Sequence, residues 1–226
     1  MNQELRAKAF LFDLDGTLVN TIVAAERQYT IWATKLGIDP KPVVEYCHGV
    51  RAIEVMQKFA PEGMTITIDD ANEWETGFCN DSQGVFVLPG VLELLKKLPR
   101  DRWAIVTSGV RAMAEARLRQ MDLPVPDVFI TADTVTHGKP HPEGYLAAAS
   151  KLGFKPEECI IFEDAPAGIE AGVRAGIRTV GITTSYKPES LHKANVLIDD
   201  YRDIEVEKAG DSGEFEIKVL RNRRSD

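Results

Sequence analysis

The stretch FLFDLDGTLVN, residues 10–20, constrains the fold more than any other part of the chain. A short apolar run (Ala9 to Phe12, then Leu14) carries two acids, Asp13 and Asp15, and meets Gly16 and Thr17 at once. Such a run, bounded by a glycine turn, predicts a buried strand ending in a loop. Both acids then emerge at the carboxyl end of the strand, where open α/β sheets place their ligands. Their spacing puts the two side chains on one face of extended backbone. Two like charges held so close together in a buried setting are costly, unless a cation or a reaction requires them.

The pattern turns helical after this stretch. Ile22, Ala25, Tyr29, Trp32, Ala33 and Leu36 recur at three- and four-residue steps, and Gly37 closes the run. Further helices are expected over 43–48, around Ala52 to Phe59, and over 68–80. From residue 86 onward helices alternate with apolar strands. Strands are expected at 103–106, 128–130, 159–162, 178–182 and 196–198, with helices at 91–98, 111–121, 145–152 and 167–175. Alternation of this kind argues for a mainly parallel sheet covered on both faces.

The expected fold is therefore α/β: a Rossmann-like parallel-sheet core formed by residues 1–19 and 86–226, with an all-helical cap, residues 20–85, inserted after its first strand. Residues 204–208 and Phe215, Ile217 and Val219 alternate at period two around a turn at 209–213, which predicts a C-terminal β-hairpin extending the edge of the sheet. The polar, basic tail 221–226 is expected to fray into solvent.

Charge narrows the partners. With 27 Lys and Arg against 35 Asp and Glu, the net charge is -8, which argues against nucleic acid bound on a basic face. A small anionic substrate is still compatible, because a local metal ion or lysine overrides the global sign. Cys47, Cys79 and Cys159 follow neither a disulfide framework nor a metal spacing, and read as reduced, mostly buried thiols. No leader opens the chain and no apolar run is long enough to span a bilayer, so a cytoplasmic protein with no membrane partner is expected.

Four polar clusters end apolar strands or sit in the loops just beyond: Asp13 with Asp15, Thr107 with Ser108, Lys139, and Glu163 with Asp164. Singly, each has an ordinary explanation. Glu163-Asp164 reads as a helix cap and Lys139 as a solvated lysine. In a parallel sheet, however, these ends share one edge, so the clusters converge. Four carboxylates beside one lysine call for a hard cation, and few oxygen ligands suit Mg²⁺, which keeps waters and shares phosphate oxygens. A carboxylate attacking phosphorus, with a second moving the proton, divides phosphoryl transfer into two easier steps.

FLFDLDGTLVN, IVTSG, GKPHPEGYL and FEDAPAGIEAG occur here in this order, and together they resemble the four motifs of the haloacid dehalogenase-like phosphatases with a helical cap. FEDAPAG, GKPHP and CHGVRAIEVMQKFAP are similar to the subgroup of glycerol-3-phosphate, 2-deoxyglucose-6-phosphate and bacterial sugar phosphatases. The resemblance implies a cytoplasmic, monomeric, Mg²⁺-dependent hydrolase of small sugar or polyol phosphates, working through an aspartyl-phosphate. In that reading Asp13 is the nucleophile and Asp15 the general acid and base. Thr107, with the N–H groups of Ser108 and Gly109, binds the phosphoryl group, and Lys139 balances charge. Asp13, Asp164, the backbone of Asp15 and Glu163 hold Mg²⁺.

In the cap, His48, Gly49 and Arg51 resemble a substrate loop, with Arg51 reaching the substrate or else forming an exposed ion pair. His141 is expected to contact solvent, a ligand or its own loop, while Trp32, Trp74, Tyr29 and Phe78 read as cap core rather than a stacking platform. A sugar phosphomutase using the same intermediate is the alternative activity. A dehalogenase leaves Asp15 and the metal acids without a role, and a non-enzymatic binding module leaves every catalytic position unexplained.

Overall fold

Three layers are organised around one parallel sheet. In a computed structural model, residues 3–210 and 213–221 are described; positions 211–212 of the expected turn at 209–213, and 222–226 of the expected tail at 221–226, lie outside the described residues. The chain opens with β1 (Gln3–Ala7), β2 (Ala9–Phe12) and the short β3 (Val19–Asn20). Four helices follow: α1 (Ile22–Lys35), α2 (Pro40–Cys47), α3 (Ala52–Phe59) and α4 (Ile68–Thr76). The alternating part comprises β4 (Phe86–Val87), α5 (Val91–Lys97), β5 (Trp103–Val106), α6 (Arg111–Gln120), β6 (Val128–Ile130), α7 (Glu143–Leu152), β7 (Cys159–Glu163), α8 (Pro166–Ala175), β8 (Arg178–Ile182) and β9 (Val196–Ile198). The hairpin β10 (Ile204–Ala209) and β11 (Glu214–Val219) ends it.

The six-stranded sheet runs β6-β5-β2-β7-β8-β9 and every pairing in it is parallel. Numbered along the chain within the sheet, this is the order 3-2-1-4-5-6 of doubly wound folds, in which the connections diverge beside the first strand. That strand is β2, so the carboxyl end carrying Asp13 lies at the crevice such sheets use for ligands.

Strand β2 also shows why the sheet is sandwiched. All four of its residues are fully buried. Phe10 and Phe12 face one core with Trp103, Phe162 and Tyr201, while Ala9 and Leu11 face a second with Val106, Tyr145 and Ala148. Helices α7 and α8 cover the second face; α5 and α6 contribute to the first. Phe12 stacks on Phe162 with ring centroids 5.2 Å apart. Burying each such ring is worth about 1.5–3 kcal/mol, so this aromatic seam fixes which way β2 faces.

The hairpin corrects an expectation. It does not extend the parallel sheet; β1, β11 and β10 form a separate antiparallel sheet in that order. The inward residues Phe215, Ile217 and Val219 are buried in the first core, and Phe215 meets Phe10 edge-on at 5.4 Å. An apolar face of this kind needs a face to cover. A sheet edge offers only backbone.

Helices α1–α4 share a core of their own, containing Tyr29, Trp32, Val43, Ile53, Val55 and Met56. Local signals set their ends. Asp39 accepts from the N–H of Lys41 at the start of α2, where Pro40 occupies the first turn, and Thr67 with Asp70 forms a capping box on α4. The chain enters and leaves this insert through a two-stranded antiparallel ribbon in which Val19 opposes Val87 and Asn20 opposes Phe86. Among the described residues no helix is long and apolar enough to cross a membrane. All three cysteines are free, and burial pushes the Cys47 and Cys159 thiols up to about 12, as expected for inert thiols.

Candidate active site

The carboxyl ends of β2, β5 and β7 gather the four polar clusters. Each strand carries its last functional residue one step past the ladder. The N–H of Asp13 donates to Phe162 O at 3.0 Å, and that of Thr107 donates to Ile130 O at 3.0 Å. These bonds extend the sheet by a residue and fix where both side chains start. Asp13, Thr107, Lys139, Glu163 and Asp164 are all buried, and Asp15 is half-buried.

Lys139 is the centre of charge. Its Nζ donates to Asp13 Oδ1 and to Glu163 Oε1, both at 2.5 Å. Burial works against the ammonium, but the two carboxylates outweigh it and raise the lysine above its ordinary range. Glu163 has both oxygens engaged. Tyr145 donates its hydroxyl to Oε1 at 2.9 Å, and the N–H of Ala165 donates to Oε2 at 2.9 Å. The Lys139 ammonium also lies 5.3 Å from the centre of the Tyr145 ring. Tyr145 and Ala165 therefore hold Glu163, and Glu163 holds the lysine against Asp13.

Asp164 has a different environment. Thr17 donates its hydroxyl to Oδ1 at 3.0 Å and Ser185 donates to Oδ2, so its immediate partners are neutral. Burial, helped by the charge of Glu163, pushes this carboxyl up to about 7. Burial likewise raises Asp13 well above the carboxylate range, opposed first by Lys139. Oxygen atoms of Asp13, Glu163 and Asp164 lie within 4.8 Å of one another. Three buried carboxylates with one lysine leave negative charge uncompensated, and an all-oxygen donor set of this size fits a hard divalent cation. Glu163, expected among the ligands, has its oxygens committed to Lys139, Tyr145 and Ala165, which leaves Asp13 and Asp164 as the carboxylates suited to the ion.

Asp15 is raised by burial, with Arg117, the Thr21 hydroxyl, Lys139 and the Thr107 hydroxyl drawing it back down. Beside it, the N–H of Gly109 donates to Thr107 Oγ1 at 3.0 Å. The turn after β5 thus presents a hydroxyl and backbone N–H groups beside the acids.

Above these groups a cavity of about 130 Å³ separates the insert from the sheet edge. Asp13, Asp15, Thr107, Ser108 and Gly109 line its floor. The insert supplies His48 and Gly49, together with Tyr29, Trp74 and Phe78. Two of these aromatic residues, Tyr29 and Trp74, serve two purposes. Tyr29 belongs to the insert's core, yet its ring, 4.8 Å from that of Trp74, also walls the cavity.

Gly49 marks a close approach of insert to core. A Cβ there would sit 2.4 Å from Ala165 Cβ, and its carbonyl accepts from Ser108 Oγ at 3.0 Å. Arg51 lies outside the cavity. It donates to Glu54 Oε1 at 2.8 and 2.5 Å and to Thr136 O at 3.3 Å, over the loop that carries Lys139. His48 is 3.2 Å from Glu26 Oε1. His141 stays within its loop, accepting from the N–H of Glu143 at 3.3 Å, and His137 pairs with the Glu143 carboxylate at 3.0 Å.

Several site residues escaped the sequence reading: Tyr145, Thr17, Ser185, Gln28, Glu75 and Arg117. Glu75, on α4, accepts from the N–H of Val110 at 2.9 Å, and burial pushes it up to about 7. Arg117 had a legible signal. It follows Ala114 by three residues and precedes Leu118, so it falls on the buried face of α6, where an arginine needs a partner.

The sequence matches the family described as haloacid dehalogenase-like hydrolase over residues 10–182. It is 37% identical to hexitol phosphatase A of Escherichia coli, over 90% of this chain and 96% of that protein. It is 36% identical to 2-deoxyglucose-6-phosphate phosphatase 1 of Saccharomyces cerevisiae, over 93% and 94%. Among solved structures, a β-phosphoglucomutase from Clostridium difficile superposes with a TM-score of 0.73 at 26% identity, covering 88% of this chain and 93% of that one. With the acids at the switch point of a 3-2-1-4-5-6 sheet and the helical insert above them, the chain belongs to the haloacid dehalogenase-like hydrolases.

Proposed function

We propose that this protein is a Mg²⁺-dependent phosphatase that hydrolyses small sugar or polyol phosphates through an aspartyl-phosphate on Asp13. The observation that carries the reading is the Lys139 ammonium bridging Asp13 and Glu163 at 2.5 Å, with Asp164 grouped with those two acids and Thr107 lining a pocket together with the lysine. The names of relatives support the substrate class: hexitol phosphatase, 2-deoxyglucose-6-phosphate phosphatase and glycerol-1-phosphate phosphohydrolase.

In this reading Asp13 attacks phosphorus, and the bond to the leaving oxygen breaks as Asp15 delivers a proton to it. Asp15 then takes a proton from water as that water attacks the aspartyl-phosphate, so one residue serves both halves of the cycle. Burial favours a protonated Asp15 at the outset, as the first half requires. Thr107 and the N–H groups of Ser108 and Gly109 hold the phosphoryl oxygens. Lys139 opposes the rise that burial imposes on Asp13 and neutralises phosphoryl charge, and Glu163 fixes the lysine. Asp13, Asp164 and the backbone of Asp15 would hold the Mg²⁺, which when bound offsets charge on the transferring group.

The cap, residues 20–85, closes over the site through the contacts of Gly49 and Glu75, and closure excludes bulk water. The protein acts as a cytoplasmic monomer, a setting consistent with its free cysteines. Asp13→Asn tests the mechanism. The variant should fold like the parent and release no phosphate from glycerol phosphate or 2-deoxyglucose-6-phosphate; substantial residual turnover would sink the covalent route. Interconversion of sugar-phosphate isomers without free phosphate would identify the mutase instead.

A further inference from the structure

Two residues that line the cavity each keep one buried polar atom that the protein leaves unsatisfied. Gln28, on α1, and Arg117, on α6, both line the cavity. Gln28 Oε1 and Arg117 Nε are buried and find no hydrogen-bond partner among the described residues. Leaving such groups unpaired costs about 1–3 kcal/mol each, so both would gain from a group that donates to one and accepts from the other. Arg117 is 5% exposed and its charge bears on Asp15, while Gln28 has no part in the phosphoryl chemistry proposed above.

Both side chains are fixed by the same residue. Gln28 donates its Nε2 to Asp81 Oδ2 at 2.5 Å, which settles its amide orientation and leaves the carbonyl oxygen unused. Arg117 donates an Nη1 hydrogen to the Asp81 carbonyl and another to Gln120 Oε1 at 3.0 Å, which leaves Nε–H unused. Asp81 is in turn held by Arg27, whose Nη2 reaches its two oxygens at 2.6 and 2.7 Å. One acceptor from the insert and one donor from the core are thereby held in place before any ligand arrives.

The chemistry of the pair selects the ligand group. A carbonyl or ether oxygen only accepts and would satisfy Arg117 alone; an ammonium only donates and would satisfy Gln28 alone. An alcohol hydroxyl accepts and donates at once. The nearby wall formed by Tyr29, Trp74 and Phe78 offers aromatic faces to the C–H side of a polyhydroxylated carbon chain or ring.

We propose that Gln28 and Arg117 form a hydroxyl-reading subsite that sets the specificity of the enzyme for the alcohol portion of its substrate, at a hydroxyl remote from the phosphate. The inference rests on the phosphatase reading, and its test separates the two. Hydrolysis of a hexitol 6-phosphate, which offers hydroxyls, is compared with that of p-nitrophenyl phosphate, which offers none, in the parent protein, Gln28→Met and Arg117→Lys. The lysine variant keeps the cation that faces Asp15 and loses Nε–H.

Gln28→Met should lower kcat/KM for the hexitol phosphate about 10- to 100-fold, mainly through KM, and leave p-nitrophenyl phosphate within about threefold; Arg117→Lys, at a residue that also bears on Asp15, is read by the ratio of the two esters, which should fall about 10-fold or more. Equal losses on both esters would mean a structural role and overturn the subsite, as would unchanged hexitol phosphate turnover. If the parent turns over neither ester, the phosphatase reading falls, and the subsite with it.

Discussion

Replacing Gly168 with alanine sets two physical effects against each other. Gly168 lies in the first turn of α8, and helix propensity alone favours alanine there by roughly 1 kcal/mol. A Cβ at this position, however, would fall 1.7 Å from Glu163 Oε1 and 1.9 Å from its Cδ. Glu163 is fully buried, and its oxygens accept from Lys139, Tyr145 and Ala165, so it has no free rotamer to retreat into. An intruding methyl in a packed interior costs about 1–3 kcal/mol, and each hydrogen bond to a buried charge is worth about 1.5–3 kcal/mol. Overpacking plus one lost bond, less the propensity gain, leaves a net destabilisation of roughly 1.5–5 kcal/mol. The urea midpoint should fall with an unchanged slope, read by circular dichroism. Phosphate release should fall as well, because the displaced carboxylate no longer anchors Lys139. An alanine variant as stable and as active as the parent would refute the reasoning.

Two further outcomes test the electrostatics. Glu75 is raised from 4.5 to about 7 in the fold, so the folded state holds its proton where the unfolded chain has released it. Its contribution therefore erodes stability as pH rises from about 4.5 to about 7, by at most about 3 kcal/mol, and stays constant above. Glu75→Gln, which keeps an acceptor for Val110, should flatten that slope and stabilise the protein at pH 8; thermal melts between pH 5 and 8 that show identical slopes would contradict it. Chelation with EDTA should stop phosphate release and added Mg²⁺ should restore it, whereas turnover that persists in EDTA would remove Asp164 from its proposed metal role.

The sequence was most readable where one physical signal dominates. Strands β5, β6, β8 and β9 have the limits expected from continuous apolar runs closed by turns. Strand β1 was not anticipated, because Gln3–Ala7 offers only Leu5 and Ala7 as apolar residues and its pairing partner β11 is more than 200 residues away. The hairpin was legible from its alternation, but its placement was not. Period two says which residues face inward and nothing about the layer they face.

The site divides in the same way. Asp13, Thr107, Lys139 and Asp164 each end or follow a strand that can be read locally, so their convergence follows from topology. Gln28, Glu75 and Arg117 sit inside helices among residues of ordinary helical pattern. Their significance depends on how the insert rests on the core, which local periodicity does not encode.

The ribbon of Val19–Asn20 against Phe86–Val87 has a consequence for how such a protein can be altered. The two ends of the insert are neighbours within one backbone ladder, and Leu88 N–H continues it by donating to Leu18 O at 3.0 Å. The core therefore sees the intervening 65 residues, 21–85, as a single closed loop whose length barely affects the cost of joining its ends. The ribbon works as a socket: a different helical module with closely spaced termini could be spliced in at the same place, leaving Asp13 and Lys139 where they are and exchanging only what they act upon.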